Sequence, residues 1–334
     1  MPRTRFDYGG NTGNAFGAGQ PNVACGSSPE YLAIGDDEFL PVEILRKVEP
    51  PNIYHHRLPG WRLEKSGLPP HVATVHEVLS APVTVPAETK TNLVLKLGNY
   101  YTAYPVLKVR GGRGAEIRCA WSENAKKLGR GVFFEDTFRA DGGEGRFTTS
   151  WLRSGTLVDV RVETAAEPLT IERFAIEESR YPLDTRGYFE CDDEEVNGVV
   201  KLCRRALEMC AHEGVWDCPF FEQLTYLGDC RVQFLAQNAI GSDDRLQKRC
   251  LELFALSRDS DGMMPMNYPC LGPQSLSATY TLVYPIMLGD YLQWHSDREW
   301  MKRQLPVLMN VMLGLSRYEN ADGLLENLPG WQFM

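Results

Sequence analysis

The sequence lacks several features that mark large classes of protein. It contains no run of lysine or arginine that could follow a phosphate backbone, and its formal net charge is −9, so we do not expect nucleic acid as a partner. No apolar run approaches the roughly 20 residues of a membrane-spanning helix, so no membrane association is expected. The first residues, MPRTRFDYGG, carry no apolar core of a secretory signal, which favours a cytoplasmic location.

Cysteine is present but follows no pattern. The nine cysteines are scattered without a C-x-x-C pair, which argues against a disulfide framework and against a zinc ribbon. We expect reduced thiols, and predict neither a metal nor a cofactor. The composition is that of a globular protein, with 43% hydrophobic and 24% charged residues, and the chain has 334 residues, enough for about two domains.

Hydrophobic periodicity divides the chain into three regions. Residues 1–75 are rich in Gly, Pro and Asn, so we expect an irregular N-terminal arm or the remnant of a domain. Over 76–185 polar and apolar residues alternate, as in AEIRCAWS at 115–122 and TLVDVRVE at 156–163, and this alternation predicts strands. Several short strands without a helical period between them predict an antiparallel β-sandwich domain.

Residues 186–334 carry a helical period instead. Asp192 or Asp193 can cap a first helix, and one apolar stripe follows: Val196, Val199, Val200, Cys203, Leu207 and Cys210. Further helices are predicted from near Asp229 and over about 244–257, 276–295 and 298–318. Because strands and helices do not alternate, the expected fold class is multidomain, with a β domain followed by an α domain.

One stretch combines acidic and aromatic residues, VWDCPFFEQLTYLGDC at 215–230. Taken singly, Asp217 fits a turn before Cys-Pro, Glu222 a solvated loop carboxylate, and Asp229 a helix cap. Taken together, the three fit sugar cleavage. A general acid needs a raised pKa, which partial burial beside aromatic rings supplies, and neighbouring carboxylates can accept hydrogen bonds from sugar hydroxyls.

This stretch resembles the signature of the α-L-rhamnosidases of glycoside hydrolase family 78. That signature is D-C-P-x-x-E, followed seven residues after the Glu by the Asp of a G-D pair, and the spacing agrees here. Other segments resemble the same family: LVLKLGNYYTAYPVLKVRGGRGAEIRCAWSE its β-sandwich, GYFECDDEEVNGVVKLCRRALEMCAHEGVWDCP its first helix, and DGMMPMNYP and DGLLENLPGWQFM its later barrel segments. Together they cover about 90 to 334.

The resemblance implies the first part of an (α/α)6 barrel of the six-hairpin glycosidase type, which releases terminal α-L-rhamnose with inversion. Glu222 would be the general acid, and Asp217 and Asp229 would hold the rhamnose hydroxyls. Tyr226 takes the place of a pocket Trp in the commoner motif and would stack on the sugar, and Trp331 resembles an aromatic pocket residue. The implied partner is a rhamnose-containing glycoside or polysaccharide, with no metal and no cofactor.

The sequence departs from the family pattern in two ways. Phe221 and Gln223 stand where Arg is frequent, which leaves the exact sugar open. Inversion also needs a general base about 6.5–9.5 Å from the acid, and no residue here matches the family's late-barrel Glu. Since the chain stops at Met334, we expect an incomplete catalytic domain without activity of its own.

Three alternatives to a soluble, active rhamnosidase follow from these departures. An incomplete barrel would expose apolar helix faces, so poor solubility or a homo-oligomer is expected. Another glycosidase with an (α/α)6 barrel, acting on a different sugar, fits the same residues. A non-catalytic carbohydrate-binding remnant of the enzyme fits them as well.

Overall fold

The computed structural model describes residues 5–8, 74–124, 134–270 and 275–332. The described residues form two compact units that divide between Arg180 and Tyr181. Most of the arm predicted over 1–75 lies outside the described residues. Within them, no helix is both long and apolar enough to cross a membrane.

The first unit is an antiparallel β-sheet. Its strands within the described residues are β1 (Arg5–Tyr8), β2 (Thr74–Glu77), β3 (Val83–Val85), β4 (Lys90–Gly111), β5 (Glu116–Ser122), β6 (Phe134–Arg139), β7 (Glu144–Phe147), β8 (Arg153–Glu163) and β9 (Leu169–Glu178). The main order is β1-β6-β5-β8-β4-β9-β2, with β3 on β9 and β7 on β4. Both predicted strand segments are confirmed, in β5 and β8.

The alternation in β5 produces the buried face that the sequence predicts. Ile117 and Cys119 are fully buried, whereas Arg118 between them is exposed. One ion pair is also buried in this unit. Arg153 donates to both carboxylate oxygens of Asp136, at 3.0 Å from Nε and 2.7 Å from Nη2. Both side chains are at most 5% exposed, so the charge of the buried Asp136 is compensated within the sheet.

The second unit is helical. Within the described residues its helices are α1 (Glu194–Cys210), α2 (Leu227–Ile240), α3 (Arg245–Ser257), α4 (Ala278–Trp294) and α5 (Arg298–Ser316). The predicted cap of the first helix is confirmed, since the Asp193 carboxylate accepts from the N–H groups of Glu195 and Val196. Helices α2 and α4 pack together, around a core that includes Cys230, Phe254 and Tyr284.

The apolar stripe of α1 is buried over only part of its length. Leu207 and Cys210, near the end of the helix, are buried, whereas Val199 is 51% exposed and Cys203 is exposed. The prediction that Cys203 is a core residue is therefore wrong for the described residues. Periodicity identifies the apolar face of a helix, but which part of that face is covered depends on distant elements.

Candidate active site

The acidic stretch forms a loop between α1 and α2 that closes on itself. The Asp217 N–H donates to the Leu224 carbonyl at 2.9 Å, and the Leu224 N–H donates back to Asp217 Oδ1 at 3.0 Å. Before this turn, the buried Trp216 ring stacks on His212 with ring centroids 3.8 Å apart. The Asp217 side chain thus fixes the loop, as expected for a turn residue.

Glu222 lies inside this loop and is held at both its backbone and its side chain. Its N–H donates to the sulfur of Cys218 at 3.2 Å. The Tyr226 hydroxyl donates to Glu222 Oε2 at 2.6 Å, which is a short hydrogen bond to a carboxylate oxygen. The next residue, Gln223, has φ +53° and donates from its amide to the Pro219 carbonyl at 2.9 Å.

Tyr226 is the residue immediately before α2 and is 9% exposed. Its backbone pairs with Asn267 in an isolated antiparallel bridge, and the next N–H, of Leu227, donates to the Met266 carbonyl at 2.9 Å. The Asn267 side chain also hydrogen-bonds the Tyr226 phenol. Two segments distant in sequence therefore fix the position of this phenol.

Asp229 occupies a different position from the predicted helix cap. Helix α2 begins two residues earlier, at Leu227, and Tyr226 before it makes no capping bond through its side chain. Asp229 therefore lies in the first turn, where its negative charge interacts favourably with the helix dipole. Its carboxylate accepts instead from the Tyr280 hydroxyl, at 3.3 Å. The cap prediction is wrong because Leu227 and Gly228 already belong to the helix, so that Asp229 is its third residue.

Gly228 makes this contact between helices possible. A Cβ at position 228 would lie 2.6 Å from Cε1 of the Tyr280 ring. Tyr280 stands in the first turn of α4, where its N–H donates to the capping Ser277 hydroxyl at 3.2 Å. The glycine of the G-D pair is thus a packing requirement, since only a residue without a side chain allows this approach.

Trp331 is brought to the same place by the segment before α4. Its N–H donates to the Leu276 carbonyl at 2.8 Å, and its ring meets Tyr280 edge-on, with centroids 6.0 Å apart and planes at 76°. Gly330 has φ +76°, and a Cβ there would lie 2.2 Å from the Leu276 oxygen. The half-buried Trp331 therefore contacts the tyrosine that holds Asp229.

The charge of Glu222 acts on both aspartates of the site. Burial raises the pKa of Asp217 to about 6, and the charge of Glu222 adds to this increase. Burial likewise raises the pKa of Asp229, again with a contribution from Glu222. Tyr280 senses all three carboxylates, and burial together with these charges raises its pKa to about 12. The five predicted site residues thus belong to one connected cluster.

The part of the chain that the structure describes provides no compensating cation for this cluster. Among the described residues, no Lys or Arg pairs with Asp217, Glu222 or Asp229. Nor is any group of three or more His, Cys, Asp or Glu side chains in that part of the chain arranged to hold a metal ion. The groups that donate to the carboxylates are the Tyr226 and Tyr280 hydroxyls, the Cys218 thiol and backbone N–H groups such as that of Leu224. Hydroxyl-rich neutral ligands are suited to such a site.

Two residues of the site were missed by the sequence analysis. Tyr280 lies 51 positions from Asp229, and no local pattern joins them. Asn267 stands in DGMMPMNYP, a segment that resembles a barrel segment of the family, but its amide was not assigned a role. Its proximity to Tyr226 depends on the backbone bridge between the two segments.

The helical unit matches a known family. Residues 184–334 match the model of the bacterial alpha-L-rhamnosidase 6 hairpin glycosidase domain. This region is thus similar to the alpha-L-rhamnosidase six-hairpin glycosidases. The site described above lies wholly within the matched rhamnosidase-family residues. A comparison with curated proteins finds no match.

Solved rhamnosidase structures share the fold. The GH78 family rhamnosidase of Bacillus sp. GL1 is 20% identical, with a TM-score of 0.69, over 76% of this chain and 27% of its own. The rhamnosidase from Klebsiella oxytoca with rhamnose bound is 16% identical, also at 0.69, over 81% and 62%. The Streptomyces avermitilis alpha-L-rhamnosidase complexed with L-rhamnose is 18% identical, at 0.57, over 74% and 25%. The chain thus spans less than two thirds of each relative.

Proposed function

We propose that this chain belongs to an inverting α-L-rhamnosidase that releases terminal α-L-rhamnose from glycosides or polysaccharides. The observation that carries the proposal is the cluster of Asp217, Glu222 and Asp229. Three half-buried carboxylates lie together without a cation among the described residues, inside a rhamnosidase-family domain. Buried charge without compensation is costly, so a role toward a ligand accounts for it better than a role in stability.

Glu222 is the proposed general acid. It lies on a loop rather than within a helix, and its side chain bonds to a neutral phenol rather than to a cation. Cleavage would transfer the Glu222 proton to the glycosidic oxygen as the bond to the anomeric carbon breaks. Positioned proton donors of this kind contribute about 10²–10⁴-fold to a reaction rate.

Asp217 and Asp229 are the proposed acceptors for the rhamnose hydroxyls. Asp217 already accepts from the N–H groups of Leu224 and Cys218 and from the Cys218 thiol, and Asp229 accepts from the Tyr280 hydroxyl and from its own N–H. A carboxylate has about four acceptor positions on its two oxygens, so each aspartate retains capacity for a sugar hydroxyl. Trp331 and Tyr280 lie edge to face beside them, and we propose that Trp331 covers an apolar side of the sugar ring.

The inverting mechanism requires a second carboxylate to activate water. Asp217 and Asp229 are each already bonded within the site, and we assign neither as the base. Since the chain spans only 27% to 62% of the Bacillus and Klebsiella relatives, the base is proposed to come from outside these 334 residues. On the same basis the sheet is proposed to be part of a β-sandwich, and the helices part of an (α/α)6 barrel.

The test compares the 334-residue chain with the complete natural protein that contains it, on an aryl α-L-rhamnoside. We expect turnover only by the complete protein, with α-L-rhamnose as the product. Glu222→Gln in the complete protein should reduce kcat at least about 100-fold on a substrate with a poor leaving group. Near-normal activity of that variant would remove Glu222 as the acid.

The other candidate functions give different results in the same assays. A panel of aryl glycosides would identify a glycosidase of another specificity by preferential cleavage of a different sugar. Rhamnose binding measured by calorimetry, without hydrolysis of any substrate in the panel by the complete protein, would indicate a carbohydrate-binding protein. Turnover by the 334-residue chain at the rate of the complete protein would contradict the proposed external base.

A further inference from the structure

Two tyrosines contact the site carboxylates, and their contacts differ in strength. The Tyr226 hydroxyl lies 2.6 Å from Glu222 Oε2, whereas the Tyr280 hydroxyl lies 3.3 Å from Asp229 Oδ2. The shorter distance is typical of a hydroxyl donating to a carboxylate oxygen, and the longer one of a weak bond. The stronger of the two contacts therefore falls on the proposed proton donor.

The position of the Tyr226 phenol is fixed on several sides. The residue is 9% exposed, it immediately precedes α2, and its backbone pairs with that of Asn267. The buried Asn267 side chain bonds to the phenol as well. Because this amide favours the ionised phenol, it acts as a donor to the phenol oxygen. A chain of donors then runs from Asn267 through Tyr226 to Glu222.

This arrangement makes the two oxygens of Glu222 unequal. Oε2 accepts the hydrogen bond from the phenol, so a proton carried by the carboxyl group resides on Oε1. When Oε1 gives that proton to the glycosidic oxygen, the carboxylate becomes negative. The hydrogen bond at Oε2 strengthens as this charge develops, because bonds to ionised acceptors are stronger than those between neutral groups. Tyr226 keeps its own proton throughout, and water supplies the hydroxyl at the anomeric carbon.

We propose that Tyr226 is a positioning residue for Glu222, which holds Oε2 and presents Oε1 to the leaving group. This inference rests on the proposed function, and it replaces sugar stacking as the role of Tyr226. The other titratable groups that face Glu222 are Asp217, Asp229 and Tyr280, on the loop, α2 and α4. None of them donates to Glu222 in the described bonds, so the orientation of the carboxyl depends on Tyr226.

The test uses leaving groups of different quality. Tyr226→Phe in the complete natural protein is measured on an alkyl α-L-rhamnoside, which needs protonation to leave, and on the 2,4-dinitrophenyl rhamnoside, which does not. We expect kcat to fall about 10- to 100-fold on the alkyl substrate, as for loss of a hydrogen bond to a charged group. On the dinitrophenyl substrate we expect a change of less than about threefold, with KM little altered on both.

Tyr280→Phe is the matched control, since it removes a tyrosine hydroxyl that donates to Asp229 rather than to Glu222. That variant should raise KM on both substrates to a similar extent, because Asp229 holds the sugar and not the leaving group. Equal losses of kcat on both substrates in Tyr226→Phe would overturn the positioning role and indicate a structural one. If Tyr226→Phe does not fold, Asn267→Ala, which removes the donor to the phenol, should give the same leaving-group pattern in weaker form. Equal losses in Asn267→Ala would likewise overturn the inference.

Glu222→Gln, measured in parallel, separates this inference from the proposed function. If Glu222→Gln shows the leaving-group dependence and Tyr226→Phe does not, Glu222 is the acid and the inference about Tyr226 is wrong. If Glu222→Gln shows no such dependence, the proposed role of Glu222 fails, and the inference fails with it. Absence of rhamnoside hydrolysis by the unaltered complete protein would also overturn both.

Discussion

Two sites, one in each unit of the molecule, treat buried carboxylates in opposite ways. In the sheet, Asp136 is fully buried and receives two hydrogen bonds from the guanidinium of Arg153. In the helical unit, Asp217, Glu222 and Asp229 lie together, and within the described residues none has a Lys or Arg partner. Both arrangements place charge away from water, but only the first compensates it.

We interpret this difference as one between a carboxylate that serves the fold and carboxylates that are proposed to bind a ligand. Removing charge from water is expensive, so a buried carboxylate that serves only the fold is expected to have a paired cation. Burial raises the pKa of the paired Asp136 too, but the charge of Arg153 opposes that increase, whereas burial raises the pKa values of Asp217 and Asp229 and the charge of Glu222 adds to the increase. Such perturbed groups concentrate at functional sites, and here Asp217 and Asp229 lie in the region that matches the rhamnosidase domain model.

The largest effect is expected from breaking the compensated pair. Arg153→Met leaves the Asp136 carboxylate buried without its cation, and should reduce the free energy of unfolding of the sheet unit by about 3–5 kcal/mol. Thermal or urea unfolding, followed by circular dichroism, measures this loss. The double variant Asp136→Leu with Arg153→Met removes both charges and should recover most of the stability. A double variant no more stable than Arg153→Met would contradict the explanation.

The next effect concerns binding by the uncompensated cluster. Asp229→Asn keeps the shape of the side chain but removes the charge that would strengthen its proposed bonds to sugar hydroxyls. In the complete protein we expect the affinity for L-rhamnose to fall about 10- to 100-fold, because bonds to charged groups contribute about 1.5–3 kcal/mol. Isothermal calorimetry measures the change. Asp192→Asn, on an exposed residue before α1, is the matched control and should bind as the unaltered protein does.

A slightly smaller effect is expected when the packing between α2 and α4 is disturbed. A methyl group at position 228 would meet the Tyr280 ring at 2.6 Å, so Gly228→Ala should destabilise the helical unit by about 1–3 kcal/mol. The control is Gly198→Ala in α1, where an added Cβ meets nothing within 4 Å and should stabilise the helix by up to about 1 kcal/mol. Similar changes in unfolding temperature for both variants would show that Tyr280 does not require the glycine.

These contrasts also show what the sequence could and could not predict. Asp217, Glu222 and Asp229 lie within 13 consecutive residues, so a local motif identifies them together. The sheet and the helices follow from hydrophobic periods that act over short distances. Tyr280 is 51 residues from Asp229 and reaches it only because α4 packs on α2, which no local pattern encodes. For the same reason the stripe on α1 did not predict that Cys203 is exposed.

The smallest predicted effect is a gain in stability, opposite in sign to the loss expected for Arg153→Met. The ordinary pKa of an aspartate is 3.8, and burial raises that of Asp217 to about 6. Between these values the folded chain retains a proton that the unfolded chain has released, so stability falls as the pH rises from about 4 to 6. Asp217→Asn removes this penalty while the amide oxygen can still accept from Leu224 N–H.

The Asp217→Asn variant should therefore be more stable than the unaltered chain at pH 7, by on the order of 1 kcal/mol after allowance for solvent screening. Below about pH 4 the two should be equally stable, because Asp217 is then protonated in both states. Asp136→Asn in the sheet should do the reverse at pH 7, since it leaves Arg153 buried beside a neutral amide. Unfolding of both variants, measured at pH 4 and at pH 7, compares the two carboxylates directly. A loss of stability in Asp217→Asn at pH 7 would show that the charge of Asp217 stabilises the fold, as that of Asp136 does.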